Sequence, residues 1–187
     1  MKKFNLNTGR LVLRSLKTSD IETILPNVND LFQTRFLTID PPISKKKELD
    51  WIHGTWRDAK KGVKFVFGVE NRVTHELMGT LELHDVNKVH KRATAGIFIF
   101  RKYWGNGFGT EAMQGLLKFG FNTLKLHRIE SEYITKNERS KNLHKVSGFR
   151  IEGTRRKYYL KRGRFEDTVS VALLAEEWKR KQKNKKE

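Results

Sequence analysis

The sequence contains no cysteine. Disulfides, thiolate metal sites, a cysteine nucleophile and an acyl-cysteine intermediate are thereby excluded, so any acyl transfer must take another route. No run of about 18 apolar residues, the length that spans a bilayer, is present. The opening Met1-Lys2-Lys3-Phe4-Asn5 lacks the apolar stretch of a secretion signal, and a soluble cytoplasmic protein with no membrane partner is expected. Proline is scarce, with three residues in 187. Pro26 is expected to interrupt a helix over residues 18–37, and Pro41-Pro42 to force a loop. Acidic residues are outnumbered, 21 against 39 lysines and arginines, which leaves a formal charge of +18. Such a field favours anionic partners, whether a nucleotide cofactor, RNA or an acidic surface, although lysine-rich surfaces also serve solubility and thermal adaptation.

What is present reads as one domain over residues 1–178, followed by a basic tail over residues 179–187 that is frayed, or helical only at its start. Leu11 and Leu13 alternate with Val12 in a short buried strand. A helix from Lys45 to Lys60 carries Leu49, Ile52 and Trp56 at helical spacing. Three strands follow, at residues 64–70, 76–85 and 92–100, with short turns between them, and predict an antiparallel meander. After a glycine-rich turn the pattern gives a helix at 110–123, a strand at 127–135 and a short helix capped by Asn137 and ended by Gly148. A strand starting at 149–153 and another at 166–174 close the sheet. The order predicts a mixed α/β (α+β) fold with a mostly antiparallel twisted sheet flanked by helices.

The turn Trp104-Gly105-Asn106-Gly107-Phe108-Gly109 lies directly between a strand and a helix, where free backbone N–H groups and the positive helix end suit a pyrophosphate. Glycine there allows positive φ and keeps side chains out of the anion's path. A plain strand-to-helix turn would use glycine for geometry alone. No Lys follows in the Walker A spacing, and the turn comes after an antiparallel meander instead of opening a parallel dinucleotide-binding unit.

The string Tyr103-Trp104-Gly105-Asn106-Gly107-Phe108-Gly109-Thr110-Glu111-Ala112 resembles the GNAT superfamily of acetyl-CoA-dependent N-acetyltransferases, although Trp104 stands where the superfamily signature has Gln or Arg. Within the superfamily it resembles the branch containing the ribosomal-protein N-terminal acetyltransferases, in which Trp-Gly-x-Gly is common. Asn137-Glu138-Arg139-Ser140, with the run Lys145-Val146-Ser147-Gly148-Phe149-Arg150-Ile151-Glu152-Gly153, resembles the same branch, as do Arg10–Arg14 and Glu177-Trp178 near the two ends. The resemblance implies a V-shaped opening between two strands in which acetyl-CoA lies. The backbone of Ile97, Phe98 and Ile99 would meet the pantetheine arm. Gly105, Asn106, Gly107, Phe108, Gly109 and Thr110 would hold the pyrophosphate, and Asn137 would contact the pantetheine or acetyl region while also capping its helix.

Direct attack of an amine on a thioester needs a proton taken from the ammonium, a stabilised oxyanion and a proton returned to the thiolate. By the resemblance, His144 stands where many relatives have a tyrosine acid, and it is expected to be partly protonated near neutrality; a surface histidine without a role is the plain alternative. Glu132 stands where some relatives carry a base. Glu82 competes, since it shares a sheet face with Thr80 and His84 and can reach the cleft directly or through water. Either glutamate can instead be a solvated strand residue, and no metal is expected. The implied acceptor is the α-amine of a protein N-terminus, ribosomal by the branch resemblance. A small amine or polyamine is the second reading, disfavoured by the basic charge unless the pocket is locally acidic, and a non-catalytic RNA-binding protein the third. Ribosome or RNA contact through the basic surface and tail is expected to fade with salt. The chain leaves its oligomeric state open.

Overall fold

A computed structural model describes residues 4–183. The alternation at Leu11 and Leu13 builds β2 (Leu11–Arg14), with both leucines fully buried, and a three-residue β1 (Asn5–Asn7) pairs against it with Leu6 opposite Leu13. After one tight turn at Thr18–Asp20, α1 (Ile21–Asn29) contains Pro26 without breaking. The expected interruption near Pro26 and the extension to residue 37 are both corrected. The helix ends because Asp30 turns extended (ψ 108°) and its carboxylate accepts from the N–H groups of Phe32 and Gln33, which starts a separate turn. Residues 30–44 then form a connection containing a single helical turn, Thr34–Phe36.

Ser44 caps α2 (Lys45–Lys61) by accepting from the Lys47 N–H, and Gly62, at φ +72°, ends it. The meander follows as β3 (Phe65–Asn71), β4 (Leu77–Asn87) and β5 (Arg92–Ile99). Next come α3 (Phe108–Lys118), lengthened by a wider turn at Phe119–Thr123, then β6 (Arg128–Ile134) and α4 (Glu138–Ser147). A long hairpin of β7 (Arg150–Lys161) and β8 (Arg164–Leu174) turns at Arg162-Gly163, both at positive φ, as a two-residue hairpin connection requires. These strands run well past the expected 149–153 and start two residues before the expected 166, because residues 154–164 are too polar to carry an apolar alternation. The last helix, α5 (Ala175–Lys183), continues into the basic tail, and Lys181 Nζ donates to the Val146 carbonyl at the end of α4. Residues 184–187 of that tail lie outside the described residues.

The eight strands follow the order β1-β2-β3-β4-β5-β6-β8-β7, antiparallel except between β5 and β6. Leu81, Leu83, Ala95, Ile129 and Val171 face α3 in one core, while Val66, Leu77 and Phe100 face α1 and α2 in the other. Among the described residues no helix is long and apolar enough to cross a membrane.

A buried ion cluster joins the start of the chain to the meander: Arg14 Nη1 lies 2.7 Å from Asp20 Oδ2, and Arg14 Nε pairs with Glu70. Burial pushes the Glu70 carboxyl up, but hydrogen bonds from Arg14 and His75 outweigh this and hold it below its ordinary 4.5. A depressed carboxyl stabilises the fold above its unfolded value, and that contribution is lost as pH falls through the acid range. Arg14→Met, which strands two buried carboxylates, is expected to cost about 3 kcal/mol in denaturant melts at neutral pH. The deficit should shrink below pH 4. An equal loss at pH 7 and pH 3.5 would count against the ion cluster as its cause.

Candidate active site

The parallel ladder between β5 and β6 is only three residues long, from Arg92 opposite Arg128 to Thr94 opposite Glu130. Beyond it β5 continues along β4 and β6 along β8, so the two strands part and leave a V-shaped opening. Ser131, the first β6 residue past the ladder, bridges the vertex by donating from Oγ to the Ala95 carbonyl at 2.9 Å. Because backbone groups alternate sides along a strand, the N–H and C=O of Ile97, two residues on, also point into the opening. Ile99 gives its carbonyl to the Trp104 indole N–H at 2.7 Å. Phe98 is the exception among the three expected contacts. Its backbone turns toward β4, where a Cβ on Gly79 would meet the Phe98 carbonyl at 2.3 Å.

At the wide end of the opening, Gly105 (φ +81°) and Gly107 (φ +76°) supply the left-handed conformations that swing the chain into α3. A Cβ on Gly105 would meet nothing within 4 Å, so conformation and not crowding requires glycine there. Gly109 is different: a Cβ would press on Leu143 Cδ1 at 3.0 Å, so its glycine lets α3 and α4 approach. Glu111 is the first helix residue whose N–H is bonded, to the Gly107 carbonyl, which leaves the N–H groups of Phe108, Gly109 and Thr110 for a ligand. Arg10 stands beside them, donating to the Asn106 carbonyl at 3.1 Å with its guanidinium over the Phe108 ring. Glu111 anchors this arginine. Burial raises the Glu111 carboxyl, but hydrogen bonds from Thr8 and Arg10 prevail and hold it low. Free N–H groups at a helix start next to an arginine fit a pyrophosphate. In the sequence Arg10 reads only as a strand end, and nothing local marks its role.

Glu82 and Glu132 stand on the two sides of the opening and on one sheet face, opposite the face that packs on α3. Glu82 lies over Gly96 on β5, where an added Cβ would meet Glu82 Cγ at 3.1 Å. It pairs with Lys64 at 2.8 Å and lines an open cleft of about 520 Å³ with Thr38, Asp58, His84 and Asp85. Glu132 is held by two β7 side chains, accepting from the Tyr159 hydroxyl and pairing with Arg155. Sequence reading missed both partners, since they lie in the polar stretch where no strand was expected. Asn137 caps α4, its Oδ1 accepting from the Ser140 N–H at 3.2 Å.

His144 is not the surface residue of the plain alternative. It is 3% exposed, stacked 5.5 Å from Tyr133 and edge-on to Phe149. Burial drives its pKa below the ordinary 6.5, with only the Ser140 carbonyl, which accepts from Nδ1–H at 2.7 Å, acting against it. Nε2 lies 2.8 Å from Ser131 Oγ, whose single proton goes to the Ala95 carbonyl, so His144 touches the vertex of the opening through Ser131. Among the described residues no group of three or more His, Asp or Glu is arranged to hold a metal ion.

A sheet parted between two parallel strands, with a glycine turn and free helix N–H groups at the wide end, defines the class of acyl-CoA-dependent N-acyltransferases. Residues 10–150 match the family model described as acetyltransferase (GNAT) domain, and the chain belongs to that family. It is an acetyl-CoA-dependent N-acetyltransferase. It is 33% identical over 171 residues to the uncharacterized N-acetyltransferase YoaA of Bacillus subtilis, covering 90% of this chain and 96% of that protein. With the [ribosomal protein uS5]-alanine N-acetyltransferase of Escherichia coli it shares 31% identity over 120 residues, 64% of this chain and 62% of the other. The fold superposes with a TM-score of 0.83 on spermidine N-acetyltransferase from Vibrio cholerae, solved with CoA and spermine, at 24% identity over 90% of this chain and 98% of that one.

Proposed function

We propose that the acceptor is the N-terminal α-amine of a polypeptide. The observation that carries this reading is that both carboxylates flanking the opening are already ion-paired, Glu82 with Lys64 and Glu132 with Arg155. A polyamine brings several ammonium groups and needs uncompensated carboxylates to receive them. An α-amine, with a pKa of about 7.7–8.0, is partly neutral at physiological pH and needs only a weak base. Glu132 or Glu82 takes the amine proton, directly or through one water, the backbone of Ile97 meets the pantetheine arm, and the N–H groups of Phe108–Thr110 hold the pyrophosphate. His144 acts by holding Ser131 at the vertex where the thioester lies. The action of the Escherichia coli relative on a ribosomal protein agrees with this reading, and the net charge of +18 suits an acceptor presented on an RNA-rich particle.

A polyamine acceptor is the second reading, favoured by Asp58 and Asp85 at the Glu82 cleft. The two separate in a rate assay with acetyl-CoA and either a free-amine peptide, the same peptide Nα-formylated, or spermidine. The free peptide is expected to be acetylated at its first residue, the formylated one not at all, and spermidine at least about tenfold less efficiently. A higher kcat/KM for spermidine would sink the α-amine assignment.

A further inference from the structure

Three guanidinium groups meet at the wide end of the opening, and among the described residues no carboxylate is paired to any of them. Arg35 comes from the 30–44 connection, Arg101 from the turn after β5, and Arg139 from the first turn of α4. Arg35 lies over the Phe32 ring at 3.7 Å and Arg101 over the same ring at 4.5 Å, while Arg139 lies over Trp104 at 3.7 Å. The two rings are 6.3 Å apart. None of the three arginines has an ion pair within 4.0 Å among the described residues. Asp30, whose carboxyl feels Arg101, gives its oxygens to Phe32 and Gln33. Burial first, then the fields of Arg139 and Arg101, pull Arg35 below its ordinary pKa, as expected where like charges are crowded.

Stacking on aromatic rings fixes the faces of these guanidinium groups; Arg35 Nη1 donates to the Phe32 carbonyl, and the other N–H edges make no hydrogen bond among the described residues, an arrangement that can bind an oxyanion through parallel hydrogen bonds. The location points to the acceptor. Phe32, Gln33 and Arg35 belong to the connection that reaches the Glu82 cleft at Thr38 and is tied to the β7–β8 hairpin by Asp40 and Lys161, 2.8 Å apart. The pyrophosphate position has its own donors, the helix N–H groups and Arg10.

We propose that Arg35, Arg101 and Arg139 form a subsite for an acidic side chain in the first few residues of the acceptor, so that the enzyme selects polypeptides with acidic N-terminal segments. This rests on the α-amine reading above. The test uses two peptides that differ only in carrying Asp or Asn at their second and third residues, with the wild-type enzyme and the Arg35→Gln/Arg139→Gln variant. In the wild type, kcat/KM is expected to favour the acidic peptide by about tenfold, a preference that falls toward unity in the variant and with added salt. The variant should keep the wild-type ratio of acetyl-CoA to acetyl-dephospho-CoA. Equal use of the two peptides by the wild type overturns the subsite and leaves the α-amine reading intact. A variant that loses the cofactor ratio in place of the peptide ratio assigns the arginines to the cofactor phosphate and also overturns it. Failure of both peptides with turnover of spermidine removes the α-amine reading, and this subsite with it.

Discussion

Replacing Gly107 by valine is expected to weaken acetyl-CoA binding by about 100-fold, or roughly 2.7 kcal/mol, in a protein that still folds. Gly107 caps α3 at φ +76° and ψ −1°, a left-handed conformation that a β-branched residue resists. The cost falls on the turn. A Cβ at this position would meet only Arg10 Nη2, at 3.4 Å, so the core beneath is not crowded and the strain is relieved by rotating the backbone. That rotation misaims the N–H groups of Phe108, Gly109 and Thr110 and shifts the Asn106 carbonyl that receives Arg10. Calorimetric titration with acetyl-CoA, together with a thermal melt, reads both consequences. Wild-type affinity in a folded variant would show that the turn does not hold the pyrophosphate.

The second large effect is expected in proton transfer. Glu132→Gln or Glu82→Gln should lower kcat by roughly 100-fold, the usual worth of a positioned base. Each substitution keeps the side-chain shape and removes the charge. After Glu132→Gln the new amide oxygen would still accept from the Tyr159 hydroxyl, but Arg155 would lose its ion pair. The pH dependence carries the diagnosis. A variant without its base can acetylate only amine that is already neutral, so its rate should keep rising until the α-amine pKa of about 7.7–8.0, with the largest deficit on the acid side. His144→Phe should act differently, because the ring has no free edge toward the opening. It removes the Nε2 contact with Ser131 Oγ while keeping an aromatic ring beside Tyr133, so a smaller kcat loss at unchanged acetyl-CoA affinity is expected. If all three variants keep wild-type rates from pH 6 to pH 9, positioning alone carries catalysis.

Some of this machinery was legible from short stretches of chain. Asn137 and Gly148 bound α4 because an N-cap side chain and a left-handed C-cap act within four residues of where they stand. The glycines at 105 and 107 marked the turn that leads into α3 for the same reason, since φ and helix N–H direction are set by neighbours in sequence. The absence of cysteine removed thiol chemistry at the outset, and the alternation in the three meander strands named the sheet face that carries Glu82. Local patterns failed where polar residues made long strands, so the part of β7 beyond Gly153, with Arg155 and Tyr159, was unseen, and where Asp30 ended a helix that periodicity extended to residue 37. Tertiary structure alone decided that the β5–β6 ladder stops after Thr94, that His144 is buried against Ser131, and that arginines at 35, 101 and 139 share one corner. Each of these depends on strand register and on which elements pack together, and the contacts between elements join residues from 13 positions apart, Ser131 and His144, to 69 apart, Phe32 and Arg101, beyond the reach of caps, propensities and hydrophobic periods.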